Sequence, residues 1–328
     1  MSSNLASRFT LQHLDSRCPA ARRDGAVRLL ALALLLGAIS LTAACGSGSE
    51  GAGNGGATGA TESSGGTATP ATPGPSSGAP APAPAPAIPS GVAYACDFVS
   101  SWQDCLFGEQ AKVAGRASIV TVAGVSAVRL HTEPGDNNVA GSGSNERNDL
   151  TLNQSTSDGF EGMEHWWAHS ILFPDDYVDP PESTATSWNF GIVADFHNSA
   201  PGAGQANFQV NAMPATAIAS DRPTGLSFQI AYGDQSNPTL YNAPIGPVVR
   251  NQWYNFVYHV KWSSGADGFF DAWVNGVQMM AYRGPTLYPG QGVYWKLANY
   301  HTPFGQPSSV IHARVIRSVA PLSVSAGL

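Results

Sequence analysis

From Val92 to Leu328, apolar and aromatic residues come in short runs and never settle into a sustained 3.6-residue period. That pattern leaves strands as the main elements this chain can build. The runs are Ser118–Val122, Ala127–His131, Glu164–Phe173, Trp188–His197, Phe208–Ala212, Leu226–Tyr232, Trp253–Trp262, Phe269–Trp273, Val277–Tyr282, Val293–Tyr300 and Ile311–Ile316. Clusters of Gly, Pro, Asn and Asp separate them. The clearest hairpin signal is Asn275-Gly276, because a type I′ turn needs φ > 0 at both central positions. Many short strands predict an all-β fold, two antiparallel sheets packed as a β-sandwich or jelly roll.

The N-terminal third reads differently. Arg17, Arg22, Arg23 and Arg28 precede an apolar run, Leu29 to Ala44, that ends in small residues before Cys45. Residues 1–44 therefore read as a secretory signal. The small residues before Cys45 resemble a bacterial lipobox, which implies a lipoprotein-type signal with Cys45 as the lipidated N-terminus. An ordinary signal peptide or an uncleaved anchor is the alternative. Residues 45–91 are rich in Gly, Ser, Ala and Pro and close on an Ala-Pro repeat. They predict a linker, flexible and then polyproline-like, that tethers domain 92–328 to a lipid bilayer. The expected location is the cell envelope, on the cell surface or facing the periplasm, and a monomer is expected. Removing five Arg and two Asp with residues 1–44 moves the net charge from −7 to −10. Such a balance argues against a nucleic-acid partner. Apart from Cys18 and Cys45, the cysteines are Cys96 and Cys105. In an exported protein they predict a disulfide closing a short loop, worth ~2–3 kcal/mol in the loop-closure picture.

Three groups carry chemistry. In Asn145-Glu146-Arg147-Asn148-Asp149-Leu150, Arg147 and Asp149 share a face if the segment is extended; a solvated ion pair on a loop is the plainer alternative. In Ile192 to His197, Asp195 and His197 share a face with Val193, and Ile192, Ala194 and Phe196 take the other. That pair is either an oriented catalytic His or a satisfied polar pair. In Tyr294-Trp295-Lys296-Leu297-Ala298-Asn299-Tyr300, alternation puts Tyr294, Lys296 and Tyr300 on one face. The Lys296 and Tyr300 backbones are then ~13 Å apart, wide enough to flank a sugar.

Together these groups resemble the strand motifs of jelly-roll polysaccharide lyases, among them the glucuronan, alginate and heparin lyase I-like families. Those families carry, in this order, Arg followed by an acidic residue and Leu, then Gln-apolar-His, then Tyr-aromatic-Lys with a Tyr four residues after the Lys. Here the motifs stand as Arg147-Asn148-Asp149-Leu150, Asp195-Phe196-His197 and Tyr294 to Tyr300. The resemblance extends over most of Cys96 to Arg317 and implies a concanavalin A-like jelly roll. It also implies β-elimination on an acidic, uronate-containing polysaccharide, leaving 4,5-unsaturated ends. Under it, Arg147 binds the carboxylate, His197 acts as base or carboxylate ligand, and Tyr300 acts as acid, base or both, with Lys296 supplying positive charge beside it. Asn145, Asp149, Asp195 and Tyr294 become substrate-binding neighbours. Asp195 departs from the family pattern, which has a neutral Gln there. No cofactor is required; the resemblance allows a structural Ca²⁺, but no Asp-rich repeat loop indicates one. A non-catalytic carbohydrate-binding domain, with tryptophans as stacking platforms, is the alternative. A two-carboxylate glycosidase is a weaker one, since the nearest pair, Glu161 and Glu164, takes opposite faces of a continuous strand.

Overall fold

The structure, a computed structural model, describes residues 90–139, 141–199, 204–217 and 223–324. The expected signal segment, Cys45 and all of the expected linker up to residue 89 lie outside the described residues. Fifteen strands follow one another among the described residues: β1 (Val92–Cys96), β2 (Phe107–Ala111), β3 (Ala117–Val122), β4 (Val125–Thr132), β5 (Glu146–Leu152), β6 (Glu164–Leu172), β7 (Gly191–Asn198), β8 (Phe208–Met213), β9 (Gly225–Asp234), β10 (Asn237–Gly246), β11 (Trp253–Lys261), β12 (Phe269–Val274), β13 (Val277–Arg283), β14 (Val293–His301) and β15 (Ser308–Ser318). One helix, α1 (Gln154–Ser157), follows β5.

The strands form two antiparallel sheets. One has the order β13-β12-β11-β6-β15-β4-β3, with β1 added along β15. The other runs β10-β9-β8-β7-β14-β5-β2. This is the expected β-sandwich jelly roll, and the core lies between the sheets. Alternation along β14 sends Val293, Trp295 and Leu297 into that core. Trp295 packs on Phe196 of β7 at 4.5 Å and on Trp167 of β6 at 5.6 Å between ring centroids. Burying each such side chain is worth ~1.5–3 kcal/mol. The packing fixes which face of β14 and β7 is turned outward. Asn275 and Gly276 both have positive φ (50° and 82°) and close the β12–β13 hairpin as expected.

The sequence pattern misses β1, β2 and β10, leaves β5 outside its runs, and locates β7 three residues early. β2 and β10 are the edges of their sheet. β10 holds Pro238 and Pro244 and is mostly exposed, which suits an edge and erases the alternating signal. Trp188 and Phe190 precede β7 instead of continuing it. Within β7 the expected alternation also breaks. Its pairing with β8 slips between Ile192 and Ala194, and its pairing with β14 slips over the same stretch. Val193 consequently joins the core beside Ala194, and Ile192 turns outward with Asp195 and His197.

Cys96 and Cys105 form a disulfide with Cα atoms 5.5 Å apart. Tyr94 donates a 2.6 Å hydrogen bond to the Cys105 carbonyl in the same loop. The bond clips the crossing from β1 in one sheet to β2 in the other. Replacing both cysteines with Ser should lower the melting temperature by roughly 5–10 °C, measured by calorimetry against the oxidised wild type. An unchanged transition would show that the clip adds no stability.

Candidate active site

The outer face of the seven-stranded sheet carries a cleft of about 710 Å³. Its centre is set by register. On β14, Tyr294 lies opposite His197, Lys296 opposite Asp195, and Tyr300 opposite Ile192 on the β7 side. On its other side β14 pairs with β5, so that Tyr300 faces Arg147 and Ala298 faces Asp149. The three sequence motifs thus converge: Arg147, Asp195, His197, Tyr294, Lys296 and Tyr300 all line the cleft. Asn145 sits at its edge, where its amide donates to the Tyr300 hydroxyl at 3.3 Å.

Asp149 is not a cleft-lining group. It is 0% exposed, and its Oδ2 receives Lys296 Nζ at 2.6 Å and lies 3.0 Å from Arg147 Nε. Asp149 thus lies beneath two cations, under the cleft surface. The Lys296 ammonium, 1% exposed, donates to Asp149 and not to Tyr300. Beside the Tyr300 ring stands the Arg147 guanidinium instead, 3.9 Å above its centroid, with Phe190 edge-on at 5.3 Å.

His197 is oriented by its own chain. Nδ1 donates to the Asn198 carbonyl at 3.0 Å, which leaves Nε2 as the nitrogen that can accept a proton. Its ring stacks on Tyr294, centroids 5.3 Å apart. Burial pushes the Tyr294 phenol up to about 12, so it acts as a hydrogen-bond donor at neutral pH. Asp195 is buried, and its Oδ1 has no hydrogen-bond partner among the described residues. Burial raises its carboxyl above the ordinary range, with Asp149 adding to the shift and Lys296, His197 and Arg147 opposing it. A protonated carboxyl is a neutral donor.

The sequence reading overlooks the other half of the cleft, lined by Gln209 and Asn211 of β8, Ser227 and Gln229 of β9, and Asn242 of β10. Alternation within Phe208–Ala212 and Leu226–Tyr232 already sets the first four opposite Phe208, Val210, Leu226 and Phe228. Of the tryptophans, Trp167, Trp262 and Trp295 are fully buried in the core, and Trp188 reaches the cleft. Glu164 belongs to β6 in the other sheet and pairs with His259, while Glu161 accepts hydrogen bonds from Ser263 and Ser264. Asp195 is the sole carboxylate among the described lining residues, so the pair that glycoside hydrolysis needs is missing there. Among the described residues no group of three or more His, Cys, Asp or Glu side chains could hold a metal ion.

A family model described as polysaccharide lyase matches residues 95–314. Among solved structures, an endo-β-1,4-glucuronan lyase from the fungus Trichoderma reesei aligns with a TM-score of 0.53 at 16% identity, covering 71% of this chain and 98% of that one. The cellulose-induced protein Cip1 aligns at 0.43 and 13% identity over 71% of this chain and 98% of its own. The alginate lyase AlyC3 aligns at 0.42 and 8% identity, with coverages of 58% and 74%. A search of curated proteins finds no match. At such identities the glucuronan lyase likeness speaks for the fold alone.

The two aspartates should separate cleanly in a stability measurement. Asp149→Asn leaves buried cations uncompensated and should cost ~3–5 kcal/mol. Asp195→Asn removes a carboxyl whose charged form the fold disfavours, and should leave stability unchanged or raised at neutral pH. Urea unfolding of both variants checks the contrast, and equal losses would contradict it.

Proposed function

The chain belongs to the polysaccharide lyase family, and we propose that it cleaves a uronate-containing polysaccharide by β-elimination in the cleft of the seven-stranded sheet. The observation that carries this reading is the meeting of Arg147, Asp195, His197, Tyr294 and Tyr300 in one cleft. Each supplies something the reaction needs. The proton on C5 of a uronate is weakly acidic while the neighbouring carboxylate is ionised, so positive charge or donors must stabilise the developing enolate. The Arg147 guanidinium is a permanent cation with a planar fork. Asp195 in its neutral form offers an O–H to the same carboxylate, doing what the family's Gln amide does.

With the carboxylate held there, the sugar lies between two proton-handling groups. His197 and Tyr294 stand at one end of the β14 stretch, Tyr300 at the other. In the proposed step, His197 Nε2 takes the C5 proton and the C5 electrons form the C4–C5 double bond. The C4–O bond breaks as Tyr300 protonates the leaving oxygen, giving a 4,5-unsaturated uronate and a new chain end. Lys296 and Asp149 are positioning residues that fix the cation pair. Residues 1–45 extend the proposal: the chain is exported and anchored through a lipid on Cys45, with the linker setting the reach of the domain.

Tyr300→Phe keeps the ring under Arg147 and deletes the transferable proton. It should lower kcat by ~10²–10⁴-fold with little change in melting temperature, read from the ultraviolet absorbance of unsaturated product. A variant keeping most of its kcat would remove Tyr300 from the proton transfer. Asp195→Asn should stay within about tenfold of wild type, because the amide remains a neutral donor. The neutral carboxyl exists below its raised pKa and is lost as pH climbs through it, so the wild type should lose activity as pH rises through that pKa, where Asp195→Asn does not. Cys45→Ser should release the protein from the membrane fraction, and unchanged anchoring would refute lipidation.

A further inference from the structure

One register row crosses most of the sheet. Lys296 of β14 lies opposite Asp195 of β7, Asp195 opposite Gln209 of β8, Gln209 opposite Gln229 of β9, and Gln229 opposite Asn242 of β10. The chemistry of the row changes between β7 and β8. Up to Asp195 it is ionisable; beyond it every member is an uncharged amide. The amides are tied together: Gln205 Nε2 donates to Gln209 Oε1 at 2.7 Å and to Gln229 Oε1, and Gln229 Nε2 donates to Asn242 Oδ1 at 2.9 Å. Tyr288 fixes Gln205 by donating to its carbonyl at 2.9 Å.

We propose that this amide row binds a neutral, unsulfated sugar next to the cleaved uronate, so that the substrate is a heteropolymer of uronate and neutral units. The inference rests on the lyase reading of the same cleft and narrows its substrate. At ~4.8 Å per strand, β9 and β10 lie ~10 and ~14 Å from β7, which is where the polymer continues if it runs across the strands. A primary amide offers both donors and acceptors, as a sugar hydroxyl does, whereas a carboxylate or sulfate only accepts. The oxygens of Gln209, Gln229 and Asn242 already accept within the row, and its amides carry no net charge to offset an anionic group. Among the described lining residues, the permanent cations are Arg147 and Lys296, on β5 and β14. They share the buried charge of Asp149, so the positive charge that can meet a substrate carboxylate lies on that side of the cleft and not over the amides.

The test compares kcat/KM of the full-length protein on an unsulfated polymer alternating glucuronate with N-acetylhexosamine, and on homopolymeric glucuronate and alginate of similar length. The alternating polymer should be favoured at least tenfold. Asn242→Arg, on the exposed edge strand, and Gln229→Arg, deeper in the row, each place a cation there and should narrow the preference at least threefold. Homopolymers cleaved as well as the alternating polymer, or a ratio unmoved by a folded Asn242→Arg variant, would overturn the inference while leaving the lyase reading intact. If no polymer yields unsaturated product, calorimetric binding decides. Tenfold tighter binding of the alternating polymer keeps the neutral-sugar row and sinks the lyase reading; equal binding sinks the row as well.

Discussion

Everything the cleft can do depends on the buried carboxylate of Asp149. It lies under the sheet face with Lys296 and Arg147 drawn onto one of its oxygens. Two cations side by side on a sheet would otherwise repel each other and splay toward water. With a shared counter-ion in a low-dielectric site they are held in place, and removing that counter-ion costs far more than a surface pair would. The arrangement also gathers two positive groups and one negative beneath the cleft floor. Trp295, on the opposite face of the same strand, keeps β14 from rotating Lys296 away.

Asp195 extends the same logic. In the proposed reaction, an ionised carboxylate there would work against binding an anionic sugar. Burial disfavours that form, and the neutral acid has one donor to offer where its Oδ1 stands without a partner. The departure from the family's Gln therefore need not disable the site. It makes the donor pH-dependent, which an amide is not.

Much of this was legible in the sequence wherever local pattern carries the information. Alternation along Tyr294 to Tyr300 correctly gave the outward face of β14, because that strand is sealed on one side by the core and period two follows from the backbone itself. The Asn275-Gly276 hairpin and the Cys96–Cys105 bond were legible for similar reasons. What stayed hidden depends on pairing between distant strands. The slip of β7 against both neighbours reverses Ile192 and Val193, and nothing within Ile192 to His197 announces it. Asp149 looks like any strand carboxylate until Lys296 arrives from 147 residues away. Gln209, Gln229 and Asn242 each look like ordinary outward polar residues, and only the register of β8, β9 and β10 turns them into a row.

The central claim is that the glycosidic oxygen leaves by elimination and not by attack of water. Cleavage of a uronate polymer in oxygen-18-labelled water separates the two directly. Elimination breaks the C4–O bond without adding water, so the account predicts product ends free of the label, each cut giving one 4,5-unsaturated uronate. Hydrolysis would add one labelled oxygen per cut and yield saturated ends, and mass spectra showing that pattern would contradict the account.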